Sequence, residues 1–283
     1  MPAATARIVL ANRSLRWSSP ILFNDPFDVP RELSFGLSPK SIVEAFPPLL
    51  ADLINHPPED TSELNAGVKL IVDTVKNGIP EEVKAELLEG LRESAASHNP
   101  TSQGMDALRA IWRSSLIDLR ILCLSEGPAH MAMWYHYADQ YRGAVLEIRC
   151  SDALDSAWLA ARPVSYSQEK PAIYTSEGWA RLLMRPPKIG VKALLNLATF
   201  TKSSDWSYEH EWRVNSVKRP NDSGPFTDYK FHPEEFAAIY LGPKIDPADA
   251  DALVGLASQY PESSAWRVEV GMSRELLFHA VEQ

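Results

Sequence analysis

The hydrophobic pattern changes near residue 119, and this change constrains the fold more than any other feature. Before it, apolar side chains recur at helical spacing, as in Leu64, Val68, Ile71 and Val75, then Val83, Leu87 and Leu91, then Met105, Leu108, Ile111 and Trp112. After it, short β-prone runs predict strands at 119–125, 143–149, 164–166, 209–217, 236–242 and 265–270. Helices followed by a mostly β region indicate an α+β fold rather than a regular βαβ array.

The domain organisation follows from this pattern. We predict a single α+β domain over residues 1–283, with a mixed or antiparallel central sheet and a helical insertion at about 38–117. Ser38 and Pro39 begin the insertion as a cap followed by proline, and polar linkers at 56–61 and 98–104 separate its helices. Further helices are expected at 5–12, 131–140, 175–184, 189–201 and 247–258.

Composition restricts the location and the partners. The longest apolar runs fall short of the roughly 20 residues that a membrane helix needs, so no membrane partner is expected. Cys123 and Cys150 lie in apolar runs, which predicts buried free thiols and a cytoplasmic protein. No metal site is predicted, because neither the cysteines nor the histidines have ligand spacing.

The charge balance limits nucleic-acid binding. The net charge of −9 argues against broad electrostatic contact with a nucleic-acid backbone. A local basic groove remains compatible with it, and Arg13, Arg16, Lys202 and Arg213 are the residues that would contribute. The chain also lacks a G-x-S-x-G elbow and a glycine-rich phosphate loop, so a serine hydrolase, a Rossmann enzyme and a P-loop NTPase are all disfavoured.

The densest group of chemistry-bearing residues is 206–213, Trp-Ser-Tyr-Glu-His-Glu-Trp-Arg. If this run enters a strand, alternation places Glu209, Glu211 and Arg213 on one face. Two carboxylates beside an arginine suit a site for a cationic or sugar-like group. The same pattern is also typical of a solvated edge face with a Glu–Arg pair inside the strand.

A second dense group lies at 133–143, where helical spacing aligns His136 with Asp139. This pair is either an oriented base or a hydrogen-bonded core pair. Trp134, Tyr135 and Tyr137 offer a stacking platform for a flat ring such as nicotinamide or adenine. Upstream, 23–28 (Phe-Asn-Asp-Pro-Phe-Asp) predicts a turn that its two phenylalanines anchor to a core.

Four motifs together resemble a widespread bacterial family of unknown function. They are the turn motif at 23–28, Cys-Leu-Ser at 123–125, Met-Trp-Tyr-His-Tyr-Ala at 133–138, and Lys202 with the 206–213 run. The layout is also similar to mono-ADP-ribosyltransferases, including DNA-modifying toxins, in which a late strand carries a catalytic glutamate. In that likeness Glu211 corresponds to the catalytic residue.

The resemblance implies an NAD-consuming toxin or phage-defence effector that modifies a nucleic acid or a protein. It implies Glu211, Glu209 and His136 as catalytic residues and NAD as the substrate and nucleotide ligand. The cofactor-binding residues that it implies are Arg16, Ser18, Asn24, Ser125, Trp134, Tyr135, Tyr137, Lys202, Trp206 and Arg213.

Two alternatives remain open at the level of sequence. One is a non-enzymatic component of a defence system that senses a ligand or a phage protein, with a protein partner on the helical insertion. The other is a metal-dependent hydrolase or nuclease that uses Glu209, Glu211 and Asp139 to hold a divalent ion.

Overall fold

The computed structural model of the chain describes residues 1–31, 37–97, 103–168 and 175–281. Most of the predicted linker at 98–104 and the side chains of Met105 and Leu108 therefore lie outside the described residues.

The chain has an α+β fold with antiparallel and mixed sheets, as predicted. In order the elements are α1 (Ala3–Asn12), β1 (Ser14–Ser18), α2 (Pro39–Glu44), α3 (Phe46–Asn55), α4 (Ala66–Lys76), α5 (Glu81–Ser97), α6 (Gln103–Asp118), β2 (Leu119–Ser125), α7 (Met131–Tyr137), β3 (Ala144–Ile148), β4 (Arg162–Pro163), β5 (Ser165–Ser167), α8 (Ser176–Leu183), α9 (Pro187–Thr199), β6 (Thr201–Ser203), β7 (Glu211–Val217), β8 (Phe226–Lys230), β9 (Phe236–Leu241), α10 (Pro247–Ala257), β10 (Ser264–Val270) and β11 (Leu276–Val281).

The chain divides into two compact units. The first unit combines Met1–Phe23, Ile117–Val164 and Asp205–Gln283, and the second combines Asn24–Leu116 with Ser165–Ser204. Most of the predicted helical insertion at 38–117 thus lies in the second unit, together with one later segment of the chain, Ser165–Ser204.

Two sheets form the framework of the first unit. The first has five strands in the order β4-β7-β2-β1-β8, and every neighbouring pair is antiparallel. The second has the order β11-β10-β9-β3, in which β9 and β10 are parallel and the other pairs are antiparallel.

One hydrophobic core packs α1 and α10 with inward residues of both sheets. Trp17 of β1, Val214 of β7, Ile239 of β9 and Leu253 of α10 are among its buried members. A smaller cluster packs α7 on β10 and β11 through Trp134, Ala138, Val268 and Leu276, which fixes the helix that carries the 133–138 motif.

The second unit is mainly helical, with the parallel strand pair β5 and β6. Ser38 caps α2 as predicted, since its hydroxyl accepts a hydrogen bond from the Ser41 N–H. The predicted stripes pack together: Val68 is buried beside Leu87 and Leu91, because an amphipathic helix gains stability by covering its apolar face. Val83 and Ile111, however, are exposed. None of the helices in the described ranges combines the length and the hydropathy that a bilayer crossing requires.

Several sequence predictions need correction. Both cysteines are exposed rather than buried, because Cys123 lies on the face of β2 opposite the core residue Leu122 and Cys150 follows the end of β3. Phe27 is also exposed and does not anchor its turn. The helix predicted at 131–140 ends at Tyr137, where a tight turn replaces its last residues.

Two strands had no clear sequence signal. The run of β8, Phe-Thr-Asp-Tyr-Lys, is short and half polar, and it follows a segment rich in proline, asparagine and glycine. The run of β11 is apolar without alternation. Pairing with β1 and with β10 makes them strands, and such long-range pairing is not visible in a local pattern.

Candidate functional site

The candidate site lies where β7 begins. A short 3-10 turn covers Ser204–Glu209, His210 adopts a positive φ of 43°, and the strand starts at Glu211. Glu209 is therefore not part of the strand, and the predicted alternation of three residues on one strand face is wrong for it. Both carboxylates are nevertheless buried, with Glu209 3 % and Glu211 5 % exposed.

Glu211 forms a two-pronged ion pair with Arg213. The arginine Nε and one terminal nitrogen donate to the two carboxylate oxygens at 2.7 and 3.0 Å. The guanidinium is fully buried and the carboxylate nearly so, and burial of either charge without the other would be strongly unfavourable. The Glu–Arg pair inside the strand is confirmed, whereas the solvated edge face is wrong, because β7 lies between β4 and β2.

Glu209 is linked instead to α7. The Tyr137 hydroxyl donates a hydrogen bond of 2.6 Å to its carboxylate. Burial of the phenol and the hydrogen bond to a carboxylate both raise the pKa of Tyr137 far above its ordinary value, so this group remains a neutral donor at physiological pH. The 133–138 and 206–213 motifs thus meet at one contact, although 72 residues separate the two side chains.

A group of rings surrounds this contact. His130 stacks on Tyr208 with ring centres 5.6 Å apart, and His136 lies 6.2 Å from the same ring. Trp206 contacts Tyr208 at 6.0 Å, and His210 lies 6.4 Å from His130. We call Tyr135, Tyr137, Trp206, Tyr208, His130, His136 and His210 the ring cluster.

Three members of the ring cluster were not among the predicted site residues. His130 precedes α7, and Tyr208 and His210 lie within the 206–213 run, but none of the three has a spacing that marks it. The signal that was available was their adjacency to the two motifs. His130 also has a buried Nδ1 atom without a hydrogen-bond partner.

The predicted pairing of His136 with Asp139 is wrong in both of its forms. Asp139 receives two hydrogen bonds from Arg142, at 3.1 and 3.2 Å, and the arginine lowers the pKa of the aspartate. His136 is exposed and contacts aromatic rings. The early end of α7 explains the difference, because Asp139 has a φ of 49° and leaves the helical face.

The other predicted ligand residues of the first unit lie in varied surroundings. Trp134 is a core residue, 1 % exposed, whose indole N–H donates to the Pro128 carbonyl, while Tyr135 is half exposed. Arg16 is held by a two-pronged pair with Asp228 at 2.9 and 3.1 Å. Two serines complete this set, Ser18 at the end of β1 and Ser125, which pairs with Glu211 across β2 and β7.

Two predicted ligand residues, Asn24 and Lys202, belong to the second unit. Asn24 is exposed. Lys202 is buried, and its ammonium lies 3.7 Å from the carboxylate of Asp28, which is buried as well. The turn motif and Lys202 therefore come together within that unit.

A metal centre has no support in the described part of the chain. Its histidine, cysteine, aspartate and glutamate side chains form no group of three or more that would hold an ion. Glu209, Glu211 and Asp139 are thus not brought together as the nuclease alternative requires, since Asp139 pairs with Arg142.

Comparison with known families identifies the central part of the chain. A family model described as a protein of unknown function, DUF2971, matches residues 133–214. These residues form a DUF2971 domain. The DUF2971 domain runs from α7 to β7 and so contains Tyr137, Glu209, Glu211 and Arg213, whereas Arg16 and His130 lie outside it. The predicted family of unknown function is confirmed. No curated protein and no solved structure matches the chain.

Proposed function

We propose that this chain is an ADP-ribosyltransferase-like protein that breaks the bond between nicotinamide and ribose in NAD. The observation that carries the proposal is the pair of buried carboxylates, Glu209 and Glu211, next to the ring cluster. Cleavage of this bond creates positive charge on the ribose, and fixed carboxylates stabilise that transition state more than the ground state.

The two carboxylates have different parts in this proposal. Arg213 holds Glu211 rigidly but compensates most of its charge. The Tyr137 hydroxyl orients the Glu209 carboxylate through a hydrogen bond. In this proposal the buried Glu209 stabilises the developing cation, and Glu211 is the preorganised partner that contacts the ribose hydroxyl.

The ring cluster supplies the surface for the nicotinamide. Tyr135 and Tyr137 are 50 % and 41 % exposed, so their faces remain available to a flat heteroaromatic ring. Stacking of such a ring is favourable by about 1 kcal/mol. His136 and His210 are both exposed. His136 lies near Tyr208 and His210 lies near Glu126, and in this proposal one of the two rings accepts a proton from the attacking nucleophile.

The reaction balances without a further reagent. The bond between ribose C1′ and the pyridinium nitrogen breaks, and its electron pair neutralises the nicotinamide. A nucleophile, either water or a nucleophilic group on a nucleic acid or protein, then bonds to C1′ and releases one proton to a nearby base. In a bacterial host, such consumption of NAD or modification of a macromolecule would serve as a toxin or a phage-defence effector.

The test is release of nicotinamide from NAD labelled in the nicotinamide ring. We expect the full chain to release label, Glu209→Gln to lower the rate by at least a hundredfold, and Tyr137→Phe to lower it about tenfold, as one hydrogen bond accounts for about 1–2 kcal/mol. Glu86→Gln, which changes an exposed carboxylate on α5, is the matched control and should keep the full rate. Unfolding temperatures of all variants separate lost chemistry from lost folding.

Two results would remove the proposal. One is a chain that releases no nicotinamide at micromolar enzyme with any nucleic-acid or protein extract as the acceptor. The other is a Glu209→Gln, Glu211→Gln double variant that folds and retains the full rate.

A ligand-binding role without catalysis is the second candidate. The Glu211–Arg213 pair favours it, because a buried, charge-compensated ion pair can fix the local structure of a binding protein without taking part in catalysis. In that case NAD or a related nucleotide would bind and remain intact, and mass spectrometry of the recovered ligand would separate the two functions.

A further inference from the structure

An open cavity of about 480 Å³ lies in the first unit, lined by residues 11–13 and 230–233. This volume is within the range of about 300–1,000 Å³ that is typical of small-molecule sites. Arg13 and Lys230 bring two positive charges to it and His232 adds a titratable ring, while none of these seven lining residues carries a carboxylate. On a chain with a net charge of −9, this is a local reversal of sign that attracts anions.

Neutral partners hold both cations in place. The Arg13 guanidinium lies 5.7 Å above the ring of Tyr260, and Lys230 Nζ donates to the Asn12 carbonyl at 2.5 Å. The backbone closes the same region, since Phe231 N–H donates to the Arg13 carbonyl. These contacts orient the side chains, and because these partners are uncharged they do not themselves neutralise either positive charge.

Two nearby negative features do not reverse this balance. The carbonyl end of α1 contributes about half an elementary charge. The buried carboxylate of Glu235 accepts a hydrogen bond from the His232 backbone at 2.7 Å and adds one charge. With Arg13 and Lys230, these two features sum to about +0.5 elementary charge, and the exposed Glu234 that follows Pro233 lies outside the lining.

We propose that this cavity binds the diphosphate group of a nucleotide. A guanidinium binds phosphate oxygens through two parallel hydrogen bonds, whereas an ammonium acts as a point charge with several donors. Arg13 and Lys230 on two adjoining segments therefore match a group with two neighbouring phosphates better than a single carboxylate.

The cavity and the candidate site share one end of the five-stranded sheet. Because neighbouring strands are antiparallel, the start of β7 and the end of β8 lie at the same end of the sheet. Glu211 starts β7 and Lys230 ends β8, and the strands β2 and β1 lie between them in the sheet order. This additional inference rests on the proposed function: a dinucleotide with its diphosphate in the cavity would extend along this end of the sheet toward Glu209.

Calorimetric titration of the full chain tests the anion site. We expect ADP and inorganic pyrophosphate to bind and adenosine not to bind, with affinity that falls as salt rises. Pyrophosphate without ADP binding would assign the site to a free diphosphate rather than to a nucleotide, which would overturn the nucleotide assignment. Arg13→Gln and Lys230→Met should each weaken ADP binding at least tenfold, while Arg267→Gln, which removes an exposed arginine from β10, should leave it unchanged.

The outcomes separate this site from the proposed function. Glu209→Gln should retain ADP binding. If this variant binds ADP but no longer releases nicotinamide, the defect lies in the catalytic centre and not in the anion site. The anion site is refuted if neither ADP nor pyrophosphate binds at millimolar concentration, or if Arg13→Gln and Lys230→Met, folded as judged by circular dichroism, bind ADP as tightly as the unaltered chain. Thermal unfolding with and without ADP gives a second measure, because a ligand that binds only the folded state raises the unfolding temperature.

Discussion

Arg120 and Arg213 are both fully buried, and different partners satisfy them. Arg213 forms an ion pair with Glu211 in its own strand. Arg120 of β2 donates to the Thr227 hydroxyl and to the Gly224 carbonyl, at 2.8 and 2.7 Å, and so ties β2 to the segment around β8. A buried guanidinium without partners would be strongly destabilising. Each arginine therefore favours the one arrangement of the chain that keeps its partners in place.

The Glu211–Arg213 pair gives a prediction at the scale of single residues. Arg213→Met or Glu211→Met alone removes one charge of this buried ion pair and should lower the free energy of unfolding by about 3–5 kcal/mol. The double variant removes both charges and should lose less than either single variant. Urea unfolding of the four proteins measures this coupling, and strictly additive losses would show that the two side chains act independently.

Elements of the first unit are joined by turns that depend on backbone geometry. After α7, Asp139, Gln140 and Tyr141 all have positive φ angles, of 49°, 53° and 74°, which is unusual for residues other than glycine. Gly143 and Gly242 then allow two backbone segments to approach closely, and Gly242 N–H donates to the Gly143 carbonyl. This turn joins α7 to β3 and places α7 beside the candidate site.

Two glycines provide a matched test of this packing. A Cβ atom on Gly242 would lie 2.3 Å from the Tyr141 carbonyl oxygen, whereas one on Gly255 in α10 would meet nothing within 4 Å. Gly242→Ala should therefore destabilise the chain by about 3 kcal/mol. Gly255→Ala should stabilise it by about 0.5–1 kcal/mol, because alanine favours a helix more than glycine does. Thermal unfolding distinguishes them, and shifts of the same sign would contradict the close approach.

At the scale of the whole molecule, surface aspartates with a lowered pKa contribute to the pH dependence of stability in acid. Hydrogen bonds lower the pKa of five of them below the ordinary value of 3.8: Asp60, Asp73, Asp139, Asp222 and Asp228. A carboxylate with a lower pKa in the folded state stabilises the fold above the pKa of the unfolded chain. That contribution is lost as the pH falls through the folded pKa.

The resulting expectation concerns acid denaturation. We expect the combined contribution of these five aspartates to stability to be constant between pH 5 and pH 7. It should fall as the pH decreases below about 4. Asp228→Asn, which removes the acceptor of Arg16, should make the acid side of the profile shallower. Urea midpoints measured from pH 2.5 to pH 7 check this, and a variant profile as steep as that of the unaltered chain would contradict it.

Local patterns were sufficient for much of this molecule. The strand at 119–125 and the helices near 176–183 and 247–257 follow from apolar periodicity and capping residues. The two motifs around Tyr137 and Glu211 also stood out as dense clusters. These features depend on neighbours within one turn of helix or one strand, so a linear sequence contains the information for them.

What the sequence by itself determined is the α+β class, most of the elements and the two motifs, because periodicity, capping and turn chemistry are local. Only the tertiary structure decided that Tyr137 contacts Glu209, that Arg213 neutralises Glu211, that Cys123 is exposed and that Arg13 and Lys230 share a cavity. These facts depend on strand order, register and the end point of α7. Long-range packing sets all three, since burial and charge pairing favour one arrangement among many that the local patterns allow.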